Sequence, residues 1–260
     1  MKTLAIMNLK GGTGKTVTAI NVAAILAQDY GQRVLLVDAD SQCNLTEFMA
    51  LGKLPEDEVP GSFASLLRRG SVLAVKTKCY NISLIPADPT LMSLDVTSAG
   101  NGTADRKALK NFLEDAKNLF DWCLIDCPPA FTAGAMAALI AADEVLIPMK
   151  VDAFSIRGMK NIMEQIRNMK QINQDLKVAG VLPTMVYPSY QQKAAEADLR
   201  KGMEAAGLHT FRHIRRSPVM DRMTFAQDPL ITYSPKSKAL HDYRVLVRDL
   251  VGAEPEGSVQ

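Results

Sequence analysis

Short apolar runs alternate with amphipathic stretches along the whole chain, and that alternation restricts the fold class before any residue chemistry is considered. The runs Leu4–Asn8, Val34–Asp38, Ile82–Pro86, Trp122–Asp126, Glu144–Met149, Val178–Pro183 and Leu208–His213 are apolar at neighbouring positions, not only at every second one. Such strands need cover on both faces, which parallel sheets obtain from crossover helices. Helical spacing fills the intervals at Lys15–Gln28, Arg106–Phe120, Ile156–Ile172, Tyr190–Ala206 and Lys238–Leu250. In Arg106–Phe120 the stripe is Leu109, Phe112, Leu113, Ala116, Leu119 and Phe120, with Lys and Glu turned outward. The expected fold is α/β, a doubly wound and mostly parallel sheet flanked by helices on both faces.

No linker breaks the pattern. Residues 51–60 (LGKLPEDEVP) and Thr97–Asp105 read as surface loops, one acidic and Pro-containing, the other rich in Gly, Ser and Thr. One domain over residues 1–251 is expected, followed by a frayed polar tail at 252–260. With 260 residues, 47% hydrophobic and 22% charged, the chain can bury a sizeable core and is neither disordered nor fibrous. Thirty basic residues against 28 acidic leave +2, so any surface for nucleic acid or membrane has to be local. The longest uncharged stretch, Cys127–Ala142, has 16 residues and contains Pro128, Pro129 and Gly134. A spanning helix needs about 20 apolar residues, so none is expected. MKTLAIMNLK lacks the apolar run of a signal peptide, and Cys43, Cys79, Cys123 and Cys127 have no staple-like spacing. Both features point to the reducing cytoplasm.

The first turn carries the chemistry. Lys10-Gly11-Gly12-Thr13-Gly14-Lys15-Thr16 lies between the first strand and the first helix. Glycines there let backbone N–H groups close around an anion that a Cβ would obstruct, and the helix start adds its positive dipole end. Lys15 supplies an ammonium for β- and γ-phosphates, and Thr16 a hydroxyl for Mg²⁺; Thr18 follows on the same helix. The strict phosphate-loop pattern wants glycine where Leu9 stands, and an additional lysine, Lys10, precedes the glycines instead.

Carboxylates follow in order. Asp38 and Asp40 end the second strand two residues apart, on one side of an extended backbone, and Asp126 ends the strand Trp122–Asp126. All three would stand at the carboxyl edge of the sheet, where open α/β sheets bind ligands.

Together these residues resemble the deviant Walker A motif of the ParA/MinD family of P-loop NTPases. VLLVDADSQCNLT is similar to the family's second motif, with Ser41 where proline is usual, and LIDCPPA to its third. VLIPMKVDAFSIRG and the segment from His213 to Leu250 continue the likeness. The resemblance implies a P-loop NTPase-like fold and a slow ATPase using ATP and Mg²⁺, closest to ParA-type (Soj-like) partitioning proteins. On that pattern Gly11, Gly12, Thr13, Gly14, Lys15, Thr16 and Thr18 hold the nucleotide. Asp38 and Asp126 join Thr16 around Mg²⁺, and Asp40 orients the attacking water. Lys10 reaches the nucleotide of a partner subunit, and Pro183, Thr184 and Met185 lie at the adenine. Lys10, Lys15 and Asp40 are then the catalytic set.

Partners follow from the same likeness: an ATP-dependent homodimer, non-specific duplex DNA, and a ParB-type protein that stimulates hydrolysis. The implied place is the cytoplasm, on the nucleoid when ATP is bound, in the service of chromosome, plasmid or mobile-element partitioning. Arg212, Arg215 and Arg216 form an acid-free basic run suited to DNA phosphates. The ending VGAEPEGSVQ has no lysine or arginine, so a MinD-like amphipathic membrane anchor is not expected, nor is an N-terminal helix-turn-helix. The enzyme-class alternative is an ATP-dependent ligase or amidotransferase of the same superfamily, cobyrinate or dethiobiotin synthase-like; such ligases often lack the extra lysine. His209, His213 and His241 form no triad, and Met159, Ile162, Met163, Ile166 and Met169 fall at core spacing.

Overall fold

The computed structural model describes residues 1–50, 61–97, 104–152, 160, 161, 163, 164 and 166–252. Most of the two expected loops, the start of the helix at Ile156–Ile172 and all of the tail beyond Gly252 lie outside the described residues.

Seven strands form one sheet in the order β3-β4-β2-β5-β1-β6-β7. They are β1 (Lys2–Ile6), β2 (Val34–Asp38), β3 (Val75–Lys76), β4 (Ile82–Ile85), β5 (Trp122–Asp126), β6 (Glu144–Lys150) and β7 (Lys177–Thr184). Every pairing is parallel except the β3–β4 pair at the edge. The described helices are α1 (Lys15–Asp29), α2 (Asn44–Met49), α3 (Phe63–Arg69), α4 (Leu91–Thr97), α5 (Ala108–Ala116) and α6 (Ala133–Ala141). After β7 come α7 (Tyr190–Ala205), α8 (Pro218–Ala226), α9 (Leu230–Tyr233) and α10 (Lys238–Val251). Between β6 and β7, the described residues among 160–169 are helical, and Ile166 and Met169 are buried there as their spacing predicts.

Alternate residues of the central strands feed two separate layers. Ala5, Leu35, Val37, Cys123 and Ile125 face the layer of α3, α5 and α6, while Leu4, Ile6, Leu36, Leu124 and Leu146 face that of α1 and α10. Both faces are dry, which explains why these strands read as unbroken apolar runs. The doubly wound α/β architecture expected from the sequence is present. No helix among the described residues is long and apolar enough to cross a membrane.

Two elements differ from expectation. β3 has only two residues, both exposed, so it leaves no hydrophobic signature. Leu208–His213 does not extend the sheet as a regular strand; it meets β7 in the isolated parallel bridge Val181↔Thr210, and a second bridge, Val186↔Arg215, lies just past the ends of both. Met185, between those bridges, has φ 56°, which breaks the extended geometry a continuous ladder needs. Close approach at Gly180 holds this segment in place, because a Cβ there would stand 2.8 Å from the His209 carbonyl oxygen and from Phe211. Gly180→Ala is therefore expected to cost about 1–3 kcal/mol of stability, measured by urea unfolding, by forcing that segment outward.

Candidate nucleotide site

The loop after β1 has the shape its glycines predict. Gly12 (φ 68°) and Gly14 (φ 85°) occupy the left-handed region, and a Cβ on Gly11, Gly12 or Gly14 would meet nothing within 4 Å. The loop thus borders open space on the side a side chain would fill. α1 starts at Gly14 with no side-chain cap, as do α2, α5, α8 and α9 at their own first residues, whereas α3, α6, α7 and α10 are capped by Ser62, Thr132, Ser189 and Ser237. Uncapped amides and the dipole at this end suit an anion. The loop is braced from two sides: the Asn8 side chain accepts from the Lys10 amide (2.9 Å) and donates to the Pro148 carbonyl (2.6 Å). The Thr184 hydroxyl donates to the Thr13 carbonyl at 2.9 Å.

Sheet register brings the carboxylates to this loop. Asp38 and Asp126 are direct partners on β2 and β5, and Ile6 pairs with Asp126 from the other side. Both aspartates are buried, and so is Lys15. Burial pushes Asp38 up to about 6, against hydrogen bonds from the Thr46 hydroxyl and amide and the Asp40 amide. Asp126 is raised well above the carboxylate range by burial and then by the charge of Asp38, opposed by a hydrogen bond from Thr16 and by Lys15. Burial lowers Lys15, while Asp126 is the largest influence holding its proton on. The Asp126 Oδ1 atom is buried without a hydrogen-bond partner among the described residues. Beside Thr16, an orphaned carboxylate oxygen fits a hydrated divalent cation or its water. Asp40 is partly exposed, and its Oδ1 accepts from the Gln42 amide at 3.0 Å.

The Lys10 Nζ atom pairs with Asp152 Oδ2 at 2.7 Å, just beyond the end of β6.

A cleft of about 210 Å³ opens next to the loop at Gly14 and Val17. Thr184 and Met185 line it, whereas Pro183 is buried and accepts from the Ile214 amide. Thr18 lies beneath, its hydroxyl 3.3 Å from that of Tyr243, which forms part of the cleft floor. Ile214, Ser217, Met220 and Asp221 also line the cleft, and the sequence reading did not single them out. Their signal was distance along a strand-like segment: 214–217 follows the residues that run beside β7, as Thr184 and Met185 follow β7 itself.

The three basic-run arginines separate. Arg212 is exposed. Arg215 is held by Asp242 of α10 through Nε (2.6 Å) and Nη2 (2.7 Å), and its amide binds the same carboxylate. Arg216 is exposed, lies over the Tyr187 ring at 5.1 Å and also lines the cleft.

Known proteins place this arrangement. The family model described as an AAA domain matches residues 1–178. The chromosome partitioning protein ParA of Caulobacter vibrioides is 30% identical over 98% of this chain and 95% of its own length. Among solved structures, Cyanothece McdA in a complex with ATP matches with TM-score 0.82 and 26% identity, covering 100% of this chain and 99% of that one. Cobyrinic acid a,c-diamide synthase from Mycobacterium smegmatis, with bound ADP and magnesium, matches with TM-score 0.77 and 27% identity over the full length of both chains. A glycine-lined loop on β1, a buried lysine, carboxylates at the ends of β2 and β5 and a full-length likeness to ParA converge: the chain belongs to the ParA family of P-loop ATPases.

Proposed function

We propose that this chain binds ATP with Mg²⁺, pairs with a second copy in that state, attaches to duplex DNA without sequence preference, and is reset by hydrolysis. The observation that carries this reading is the buried pair Lys15 and Asp126, with its orphaned Oδ1, standing under the open glycine loop. Phosphoryl transfer needs fixed positive charge around the γ-phosphate and a positioned nucleophile, with no covalent role for the protein. Gly11, Gly12, Thr13 and Gly14 offer backbone amides to the phosphates, and Lys15 an ammonium. Thr16, Asp38 and Asp126 would hold Mg²⁺, which supplies charge neutralisation across the β- and γ-phosphates. Asp40, the more exposed carboxylate, orients water. The base occupies the cleft at Thr184 and Met185.

Lys10 completes the neighbour's site. To do so its ammonium exchanges Asp152 for a phosphate oxygen across the two-fold axis. Arg212 and Arg216 are the DNA contacts, since Arg215 is committed to Asp242. A ParB-type partner stimulates hydrolysis, and the protein moves between the cytoplasm and the nucleoid. The cargo is a chromosome, plasmid or mobile element.

Gel filtration separates this reading from a ligase of the same superfamily. ATP and Mg²⁺ alone, with no carboxylic acid substrate, are expected to convert monomer to dimer. Duplex DNA then co-elutes with the dimer, and its affinity falls by roughly tenfold or more between 50 and 200 mM salt for a few phosphate contacts. Lys10→Ala is expected to bind ATP yet stay monomeric. A monomer under all conditions, with turnover only on a carboxylic acid, would replace partitioning with ligation.

A further inference from the structure

Gly134 is the second residue of α6, and no left-handed φ calls for glycine there. Glycine is among the poorest helix formers, so its place inside a helical turn needs another cause. The cause is contact. A Cβ on Gly134 would stand 2.9 Å from the Ala39 carbonyl oxygen and 3.4 Å from the Phe63 ring. That carbonyl belongs to the peptide joining Ala39 to Asp40, just past Asp38 at the end of β2.

A peptide unit is planar, so pressure on its oxygen turns the amide at its other end. Here that amide is the Asp40 N–H, which donates to Asp38 Oδ1 at 3.1 Å. On its near side, the Ala39 amide donates to the Asp126 carbonyl at 3.0 Å. The peptide before this unit is therefore held by β5, and the unit itself by Asp38 and by the first turn of α6. α6 cannot easily withdraw: Thr132 caps it by accepting from the Ala135 amide, and Ala135, Ala137, Ala138 and Leu139 are fully buried.

We infer that Gly134 is a positioning residue for Asp40: the bare first turn of α6 is the backstop that sets the height of the water-orienting carboxylate. This rests on the proposed role of Asp40 and adds to it a residue that governs hydrolysis without touching the phosphates. The residues between Asp126 and α6, Cys127 to Thr132, connect that helix directly to the end of β5. The end of β5 thus bears on Asp40 twice, through the Ala39 amide and through Gly134.

The test is a size series at this position, Gly134→Ala and Gly134→Ser, beside Asp40→Ala. Misplacing a catalytic group by about 1 Å costs on the order of 100-fold. Gly134→Ala is expected to lower kcat by roughly 10- to 100-fold, and Gly134→Ser by more. ATP affinity and the ATP-dependent dimer should stay within about twofold of the parent, the split between kcat and binding that general destabilisation does not produce. Parent-like kcat in Gly134→Ala, with Asp40→Ala inactive, overturns the backstop alone. A fall in kcat that only follows lost ATP affinity overturns it as well. Parent-like turnover in Asp40→Ala removes the assigned role of Asp40, and the backstop with it.

Discussion

Lys15→Ala is expected to abolish nucleotide binding, raising Kd for ATP by at least about 100-fold, while the protein stays folded. The ammonium is buried and held protonated chiefly by the charge of Asp126, so on the proposed function the phosphates would lose a cation fixed below the loop. A charge-assisted contact desolvated to this degree contributes about 1.5–3 kcal/mol, and two phosphates share it. Asp40→Ala is the contrasting case: equilibrium binding and ATP-dependent pairing persist, and turnover falls by about 100-fold or more. Isothermal titration and a phosphate-release assay on the two variants separate seat from chemistry. Equal affinity in Lys15→Ala and the parent would remove the loop from the site.

The second large effect concerns stability. Asp38 is pushed up to about 6, above its unfolded value near 4, so between those values the folded state holds a proton that the unfolded state has lost. Its contribution is therefore fully present below about pH 4 and lost as pH rises through about 6. The size is roughly 3 kcal/mol at the upper limit, and Asp126 acts in the same direction. The ligand-free protein should accordingly melt higher near pH 5 than at pH 7.5, and the gap should close when Mg²⁺ and ATP are added. Asp126→Asn, which keeps the shape and removes the charge, is expected to raise the ligand-free melting temperature at pH 7.5 by about 3–6 °C. The same variant should lose Mg²⁺-dependent ATP binding. A lowered melting temperature would show that attraction to Lys15 outweighs burial and the repulsion from Asp38.

Much of this site was legible because it is local. The glycine loop, Lys15 and Thr16 are contiguous, and Asp38, Asp40 and Asp126 each close an apolar run whose end could be read directly. Alternation of runs and helices gave the layers, since strands covered twice have no polar face. What could not be read was long-range pairing of polar groups. Nothing near Lys10 announces Asp152, 142 positions away, and nothing near Arg215 announces Asp242. An acid-free run in sequence looked like three equivalent arginines, yet one of them, Arg215, is ion-paired with Asp242. Thr46, which donates to Asp38 and accepts from the Ala87 amide, lies beyond a left-handed Cys43 that no propensity foretells. β3 escaped because its two exposed residues leave no period to detect, and the run Leu208–His213 read as a full strand because nothing in it foretells the left-handed Met185 opposite, where the ladder breaks.

α10 supplies both Tyr243, on the floor of the cleft, and Asp242, which fixes Arg215 in its wall. These come from the fourteen residues Lys238–Val251, whereas the glycine loop is made near the start of the chain. The glycine segment is thus made early, but the partners that brace it, Pro148 and Thr184, and the cleft beside it are complete only once β6, β7 and α10 have been made. On the proposed function, a chain that stops short of α10 lacks the residues that would hold the base, and is expected neither to grip ATP at both ends nor to pair.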